Sequence, residues 1–403
     1  MERPLECRAS SAPERHSAAT GSPRRARPIA SARSPPPVPN ASLPPSPSSH
    51  DAPPVLHPSG VERPFRIAIN GYGRIGRCYL RALHEAGLAE RYRIVAINEP
   101  ADLASIAYLT RFDSTHGRFP GVVERSEREL IVDGHAIHVS HASTPEEVDW
   151  TVLALDLVVE CSGQYGGRRD LQRFIAAGCP RLLLSHPGNG AEDVDVTVVF
   201  GINEDELHGP ERLVSNASCT TNAVVPVLDC LHREIGIEQA LLTTLHSAMN
   251  DQPLIDGYHH ADLRRTRSAM QSIIPVSTGL ARGVERLLPA LAGRVQAKAI
   301  RVPTHNVSAI DMVLSFGREV SAEAVNRLLR ETAAGPQRGL LACSDEAHAS
   351  IDFNHDPHSA IIDCSQTRAV GAKMLNLVVW FDNEWGFASR MVDVTRRWLA
   401  AAG

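Results

Sequence analysis

The stretch "FRIAINGYGRIGR", residues 65–77, restricts the fold more than any other part of the chain. "FRIAIN" reads as a short buried strand, and Ile75, Tyr79, Leu80 and Leu83 fall on one side of a helix that follows it. Between the two, Gly71, Gly73 and Gly76 stand in G-x-G-x-x-G register, with Arg74 and Ile75 inside the same turn. Such a turn lets backbone amides and the helix N-terminus approach a pyrophosphate, although a lone glycine pattern also describes a plain tight turn. Context raises its weight. A second strand, "RIVAIN" at 93–98, leads into Glu99, about 20 positions on, where a carboxylate accepts hydrogen bonds from ribose hydroxyls and repels a 2′-phosphate. Together these predict an NAD site, against the alternatives of a simple turn and of Glu99 as a solvated loop charge.

Further strand-like runs follow at "LDLVVEC" (155–161), "RLLLSH" (181–186) and "VTVVFG" (196–201), with the helical "RRDLQRFIAAG" between the first two. Alternation at this spacing predicts βαβ units and a parallel sheet. Beyond "RLVSNAS" the helix-like "CTTNAVVPVLDCLHREIG" opens a region of longer strands, "QALLTTLHSA" (239–248) and "VSAIDMVLSF" (307–316), with the helical "AEAVNRLLRETAA" at 322–334. That texture is α+β. At the end, Phe387, Met391, Val394 and Trp398 recur at helical spacing, so a terminal helix is expected to dock on a core.

A length of 403 residues suits two domains, with or without a tail. Residues 1–64 are such a tail: Pro, Ser, Ala and Arg replace the large apolar residues of a core, which predicts disorder. The same Arg and Ser resemble an organelle transit peptide, but the prolines oppose its amphipathic helix, and a true start further downstream is a third reading. The formal net charge of -5 argues against nucleic acid as the main partner, and the apolar runs are too short to cross a bilayer. Eight cysteines without a CxxC pair, and no secretory hydrophobic core, fit a reducing cytoplasm in which most thiols are packing residues.

One cysteine stands apart. In "SNASCTTN" (215–222), Cys219 lies between hydroxyl residues, at the end of a strand and the start of a helix. Helix N-terminal amides favour a thiolate, so the expectation is a pKa below about 8.5. "TTLHSAMND" offers His246 as a base at the end of a strand. Each has a bland alternative, a buried thiol and one histidine among 18. A thiolate facing a nicotinamide would attack an aldehyde, lose hydride from the thiohemiacetal to NAD and leave a thioester, with the Cys219 amide and protonated His246 stabilising the oxyanion. A nucleotide-binding scaffold with a structural Cys219 is the alternative from another class.

With these residues in place, the chain resembles the glyceraldehyde-3-phosphate dehydrogenase family. "INGYGRIGR", "DSTHGRF", "SNASCTTN", "DLRRTR", "IIPVSTG", "RVPTHNVS" and "DNEWGF" occur in that family's order from Phe65 to the end. The resemblance implies a Rossmann-type NAD-binding domain at 65–218, an α+β catalytic domain with a mixed sheet at 219–383, and a C-terminal helix at 384–403 returning to the first domain. It also implies a homotetramer, Cys219 as nucleophile and His246 as base. Asn383 would hold the nicotinamide carboxamide, and Ser162 and Phe387 would line the cofactor pocket.

Within the family, "SHPG" (185–188), "HSAMNDQPLIDGYHHADLRRTR" (246–267) and "SIDFNHDPHSAIIDCSQTR" (350–368) look more like the erythrose-4-phosphate dehydrogenase branch, which releases its acid with water. Where phosphorylating members carry Thr three residues after the catalytic His, this chain has Met249, a poor hydrogen-bond partner. The resemblance leaves Arg301 and Arg265 as contacts for the sugar phosphate, their plain alternative being surface salt bridges. Ser218, Thr220, Thr278 and Gly279 match the family's inorganic-phosphate pocket, and the branch often has Lys at the position of Gly279. Release by phosphate therefore stays open, with the glyceraldehyde enzyme as the second reading. The branch implies oxidation of D-erythrose 4-phosphate to 4-phosphoerythronate in support of pyridoxal phosphate biosynthesis. In "NHDPH", His355 and His358 flank Asp356, but Pro357 makes a turn rather than a ligand face, and no metal is expected.

Overall fold

The computed structural model describes residues 63–259 and 262–402. Apart from positions 63 and 64, the expected disorder of residues 1–64 lies outside the described residues. The first sheet has nine strands, in the order 196–197, 213–215, 182–184, 157–160, 65–70, 92–98, 135–140, 129–132 and 123–125. The first seven run parallel and the last two add an antiparallel meander. Central strands bury both faces, which is why they read as unbroken apolar runs: Ile67 and Ile69 join one core cluster, and Ala68 joins the cluster on the opposite face. Strand Phe65–Asn70 is flanked by Tyr92–Asn98 and Leu157–Glu160, so strand order reverses there and a crevice opens at the carboxyl ends.

The second sheet is mixed, in the order 274–276, 295–301, 237–246, 308–316, 374–381, 360–363 and 341–344, with 368–370 paired to 374–381. Its apolar face, including Ala240, Leu242, Met312 and Leu377, packs on helices Cys219–Glu234, Leu280–Leu287 and Ala322–Ala334. Strand Ile237–His246 lies parallel to Val295–Arg301, in a register that pairs His246 with Arg301. The closing helix, Trp385–Ala402, leaves this sheet and packs against the first helix, Arg74–Glu85. Its Trp385, Met391, Val394 and Trp398 share a core with Ile67, Tyr79 and Leu83, and the Tyr79 hydroxyl lies 2.9 Å from Thr395 Oγ1.

Candidate active site

The three glycines of the first turn meet different surroundings. Gly71 has φ 85°, and a Cβ there would lie 2.4 Å from the Ser162 amide nitrogen at the strand-order reversal. A Cβ on Gly76 would sit 2.4 Å from the Gly71 carbonyl oxygen, whereas one on Gly73 would meet nothing within 4 Å. Gly73 thus leaves open space at the turn, where the backbone could approach a pyrophosphate. Glu99 lies across the turn, its Oε2 accepting from the Tyr72 amide at 2.7 Å and its Oε1 from the Ala101 amide at 3.3 Å. The Arg74 side chain does not serve a cofactor phosphate: Nε donates to Glu384 Oε1 at 2.8 Å, and its terminal nitrogens pair with Asp113 and Glu384. Arg74 and Ile75 therefore offer a dinucleotide their backbone amides.

Ser162 is also engaged. Its amide (2.7 Å) and hydroxyl both donate to Oε1 of Glu160, a fully buried carboxyl whose pKa burial raises. Asn383 is different, because its partners hold one end of the amide and leave the other. The hydroxyls of Ser247 and Ser308, both fully buried, donate to Asn383 Oδ1 at 2.9 and 2.7 Å. Among the described residues nothing accepts from Nδ2, which is free to donate to a carboxamide oxygen. Phe387 is 4 % exposed and packs in the core of the first sheet, so it acts as a wall rather than an exposed ring. An open glycine cradle, an acid at the end of the second strand and a free amide donor together fit NAD.

The thiol stands where two elements end. Ala217, at φ 56°, turns the chain out of strand Leu213–Ser215, and Ser218 caps helix Cys219–Glu234 by accepting from the Thr221 amide at 3.1 Å. The Ser218 hydroxyl also lies 3.0 Å from that of Thr220 and 2.7 Å from that of Thr221. Cys219 Sγ is 3.7 Å from His246 Nε2, and His246 Nδ1 is 2.9 Å from the Ser247 carbonyl oxygen. A carbonyl only accepts, so Nδ1 carries the proton and the Nε2 lone pair faces the thiol.

The expected thiolate is corrected by this environment. Burial pushes Cys219 up to about 11, and the amides of Thr220 and Cys219 at the helix start offset only part of that rise. Burial also lowers the His246 pKa, against the Ser247 carbonyl bond. The pair is therefore a neutral thiol facing a neutral imidazole, set for proton transfer during attack rather than before it.

Arg301, paired in register with His246 on the neighbouring strand, is 7 % exposed. It forms a two-point ion pair with Asp251, and Arg265 Nη1 reaches the same carboxylate at 3.3 Å. Burial raises the Asp251 pKa, but bonding to Arg301 and the charge of both arginines outweigh it and hold the carboxyl below its ordinary range. Arg265 Nε is buried and has no partner among the described residues. Met249, in the same loop, is 45 % exposed. Thr278 Oγ1 accepts from the Leu280 amide at 3.2 Å, and a Cβ on Gly279 would find nothing nearer than Arg282 Nη2 at 3.7 Å.

Asp251, Ser247 and Ser308 escaped the sequence reading. Asp251 carried a signal, an acid in the loop that follows His246, whereas the two serines are joined only by sheet register. The metal question has a geometric answer. Cys78, His116 and Glu384 place three potential ligand atoms within 4.8 Å of one another, but Glu384 is already bonded to Arg74 and His116, and the guanidinium repels a second cation. In "NHDPH", His358 turns to Asp356 at 2.7 Å and His355 to Glu85 at 2.8 Å, so the two rings share no ligand position.

Two family models match the chain. Residues 65–168 match the NAD binding domain of glyceraldehyde 3-phosphate dehydrogenase, and residues 218–383 match its C-terminal domain. The first match contains the glycine turn and Glu99, and the second contains Cys219, His246, Arg301 and Asn383.

Proposed function

The chain belongs to the glyceraldehyde 3-phosphate dehydrogenase family, and from that premise we propose that it oxidises D-erythrose 4-phosphate to 4-phosphoerythronate with NAD and water. The observation that carries the chemistry is the His246 Nε2 lone pair, 3.7 Å from Cys219 Sγ. His246 takes the thiol proton as sulfur adds to the aldehyde carbon, forming a thiohemiacetal. The developing oxyanion is met by the Cys219 amide at the helix start and by the proton now on Nε2. NAD, when bound, would supply the hydride acceptor. Loss of hydride leaves a thioester on Cys219. His246 releases its proton to solvent and then takes one from water as the water adds to the thioester carbon; the C–S bond breaks and the departing sulfur takes that proton back, giving the acid and the thiol. Arg301 and Arg265 serve as donors for the sugar phosphate, with Asp251 holding them until substrate arrives.

Met249 supports the four-carbon, water-releasing reading, since a thioether stands where phosphorylating members supply a hydroxyl. The second reading, phosphorylation of glyceraldehyde 3-phosphate, is favoured by Gly279, whose missing side chain leaves room for an anion near Thr278. The homotetramer implied by the resemblance is supported by the open face of the second sheet, where Leu241 and Leu245 are 46 % and 38 % exposed. Among the described residues no helix is long and apolar enough to cross a membrane. A cytoplasmic role in pyridoxal phosphate biosynthesis belongs to this same proposal.

The test is NADH formation with erythrose 4-phosphate and with glyceraldehyde 3-phosphate, each with and without inorganic phosphate, compared as kcat/KM. Preference for the four-carbon aldehyde without phosphate is expected. Strict phosphate dependence with the three-carbon aldehyde would overturn it in favour of the second reading, and no activity with either would leave a nucleotide-binding scaffold.

A further inference from the structure

Asn383 is gripped through both of its neighbours, and the grip leads to two histidines that the chemistry does not use. On one side, Asp382 caps the closing helix by accepting from the Glu384 and Trp385 amides at 3.0 and 2.8 Å, and its Oδ2 accepts from the His355 amide at 2.8 Å. On the other, Glu384 pairs with Arg74 of the glycine turn and lies 3.1 Å from His116 Nε2. The two imidazoles then meet directly, with Nδ1 to Nδ1 at 3.1 Å, and His355 Nε2 continues to Glu85 at 2.8 Å. His355 also stacks on Trp385, with ring centroids 3.7 Å apart and planes 21° apart.

Hydrogen-bond counting fixes what this couple carries. Each Nε2 faces a carboxylate and so holds a proton, while the facing Nδ1 atoms have room for one proton between them. Around the couple stand Arg74, Cys78, Arg81 and Glu85 of the first helix, Asp113 of the next loop, Asp356 and His358 of the His355 loop, and Asp382 and Glu384. Within this set His358 pairs with Asp356, Arg74 with Asp113 and Glu384, and Arg81 with Glu85. His355 adopts φ 67°, a backbone region that glycine enters freely and a side chain rarely does, so the ring is present despite its backbone cost.

We propose that His116 and His355 are positioning residues for the nicotinamide half of the cofactor: by fixing Glu384 and bracing Trp385 their rings hold the Asn383 amide where the carboxamide arrives. The proposal rests on the reading of Asn383 as the carboxamide donor. The glycine turn does not depend on the couple in the same way, because Arg74 keeps Asp113 when Glu384 loosens.

Binding of NAD and of ADP-ribose, which lacks the nicotinamide, is measured by calorimetry on the full chain. H355G gives the left-handed position its preferred residue while deleting the ring, and H116F keeps an aromatic ring in the buried site while deleting both nitrogens. Each is expected to weaken NAD about 3- to 10-fold and to leave ADP-ribose within about twofold, with H116Q, which retains a donor towards Glu384, recovering most of the loss. Unchanged NAD affinity in both variants, or equal losses for the two ligands, overturns the proposal. N383A separates the two layers. If it discriminates NAD from ADP-ribose while the histidine variants do not, only the positioning role fails; if it does not discriminate, the assignment of Asn383 fails.

Discussion

The thiol corner and the arginine corner lie side by side, since His246 and Arg301 are register partners, yet they are built on opposite rules. At the thiol corner, charge is suppressed: burial lifts Cys219, lowers His246, and leaves a single 3.7 Å contact between two neutral groups. At the arginine corner, charge is fixed: Asp251 is kept ionised by two guanidiniums that it orients in return. The contrast teaches where each kind of energy is kept. A nucleophile held as a neutral thiol conserves its reactivity for the moment of attack, whereas binding groups need their orientation before the ligand comes.

The largest effect expected is at the nucleophile. C219S should lower NADH formation from erythrose 4-phosphate by about 10⁴-fold or more, and retention of full activity would remove the covalent route altogether. H246N should lower kcat by about 10²- to 10⁴-fold with little change in the KM for sugar phosphate, which steady-state kinetics separates. At the other corner the pattern should invert. R301L leaves Asp251 facing Arg265 alone, and is expected to act mainly on sugar-phosphate KM, at about 2–5 kcal/mol in kcat/KM; R265L, at the more exposed of the two positions, should do less.

The contrast in charge has its own probe. Iodoacetamide labelling of Cys219 in the free enzyme should keep accelerating well above neutral pH, as follows from a thiol near 11; a plateau below neutrality would mean that the helix start and His246 prevail over burial. The smallest effect is expected at the Asn383 supports. S247A and S308A each remove one of two donors to the same oxygen, so each should raise the NAD KM by only about 2- to 5-fold. The double variant should exceed the product of the singles, because only then is the amide free to turn.

Local patterns were legible where one periodicity governs a whole element. The helical run at 322–334 is helix Ala322–Ala334, and the turn glycines sit as their register required. Other runs misled for identifiable reasons. "VTVVFG" reads as six strand residues, but only Val196–Thr197 pair, since Asn203 accepts from the Val199 amide and donates to the Thr197 carbonyl, both at 2.9 Å, and bends the chain away. The strands at 129–132 and 135–140 were passed over because their charged, half-exposed alternation hides them; yet Asp133 and Gly134, both at positive φ (47° and 80°), form the two-residue hairpin turn that such a dipeptide signals. The thiol's ionisation was misjudged because helix position is local and burial is not. The imidazole couple and the serine pair were illegible for the same reason, as their members come together only when distant strands and loops are in register.

The closing helix carries a consequence for how the molecule is made. Ile67, Tyr79 and Leu83 share their core with Met391, Val394 and Trp398, which leave the ribosome roughly 300 residues later. At about 5–20 residues per second, the nucleotide-binding half waits tens of seconds with one flank uncovered. That flank is apolar and sticky during synthesis, so a chain that stalls before helix Trp385–Ala402 is a ready client for chaperones, even though Cys219 and His246 have already been made.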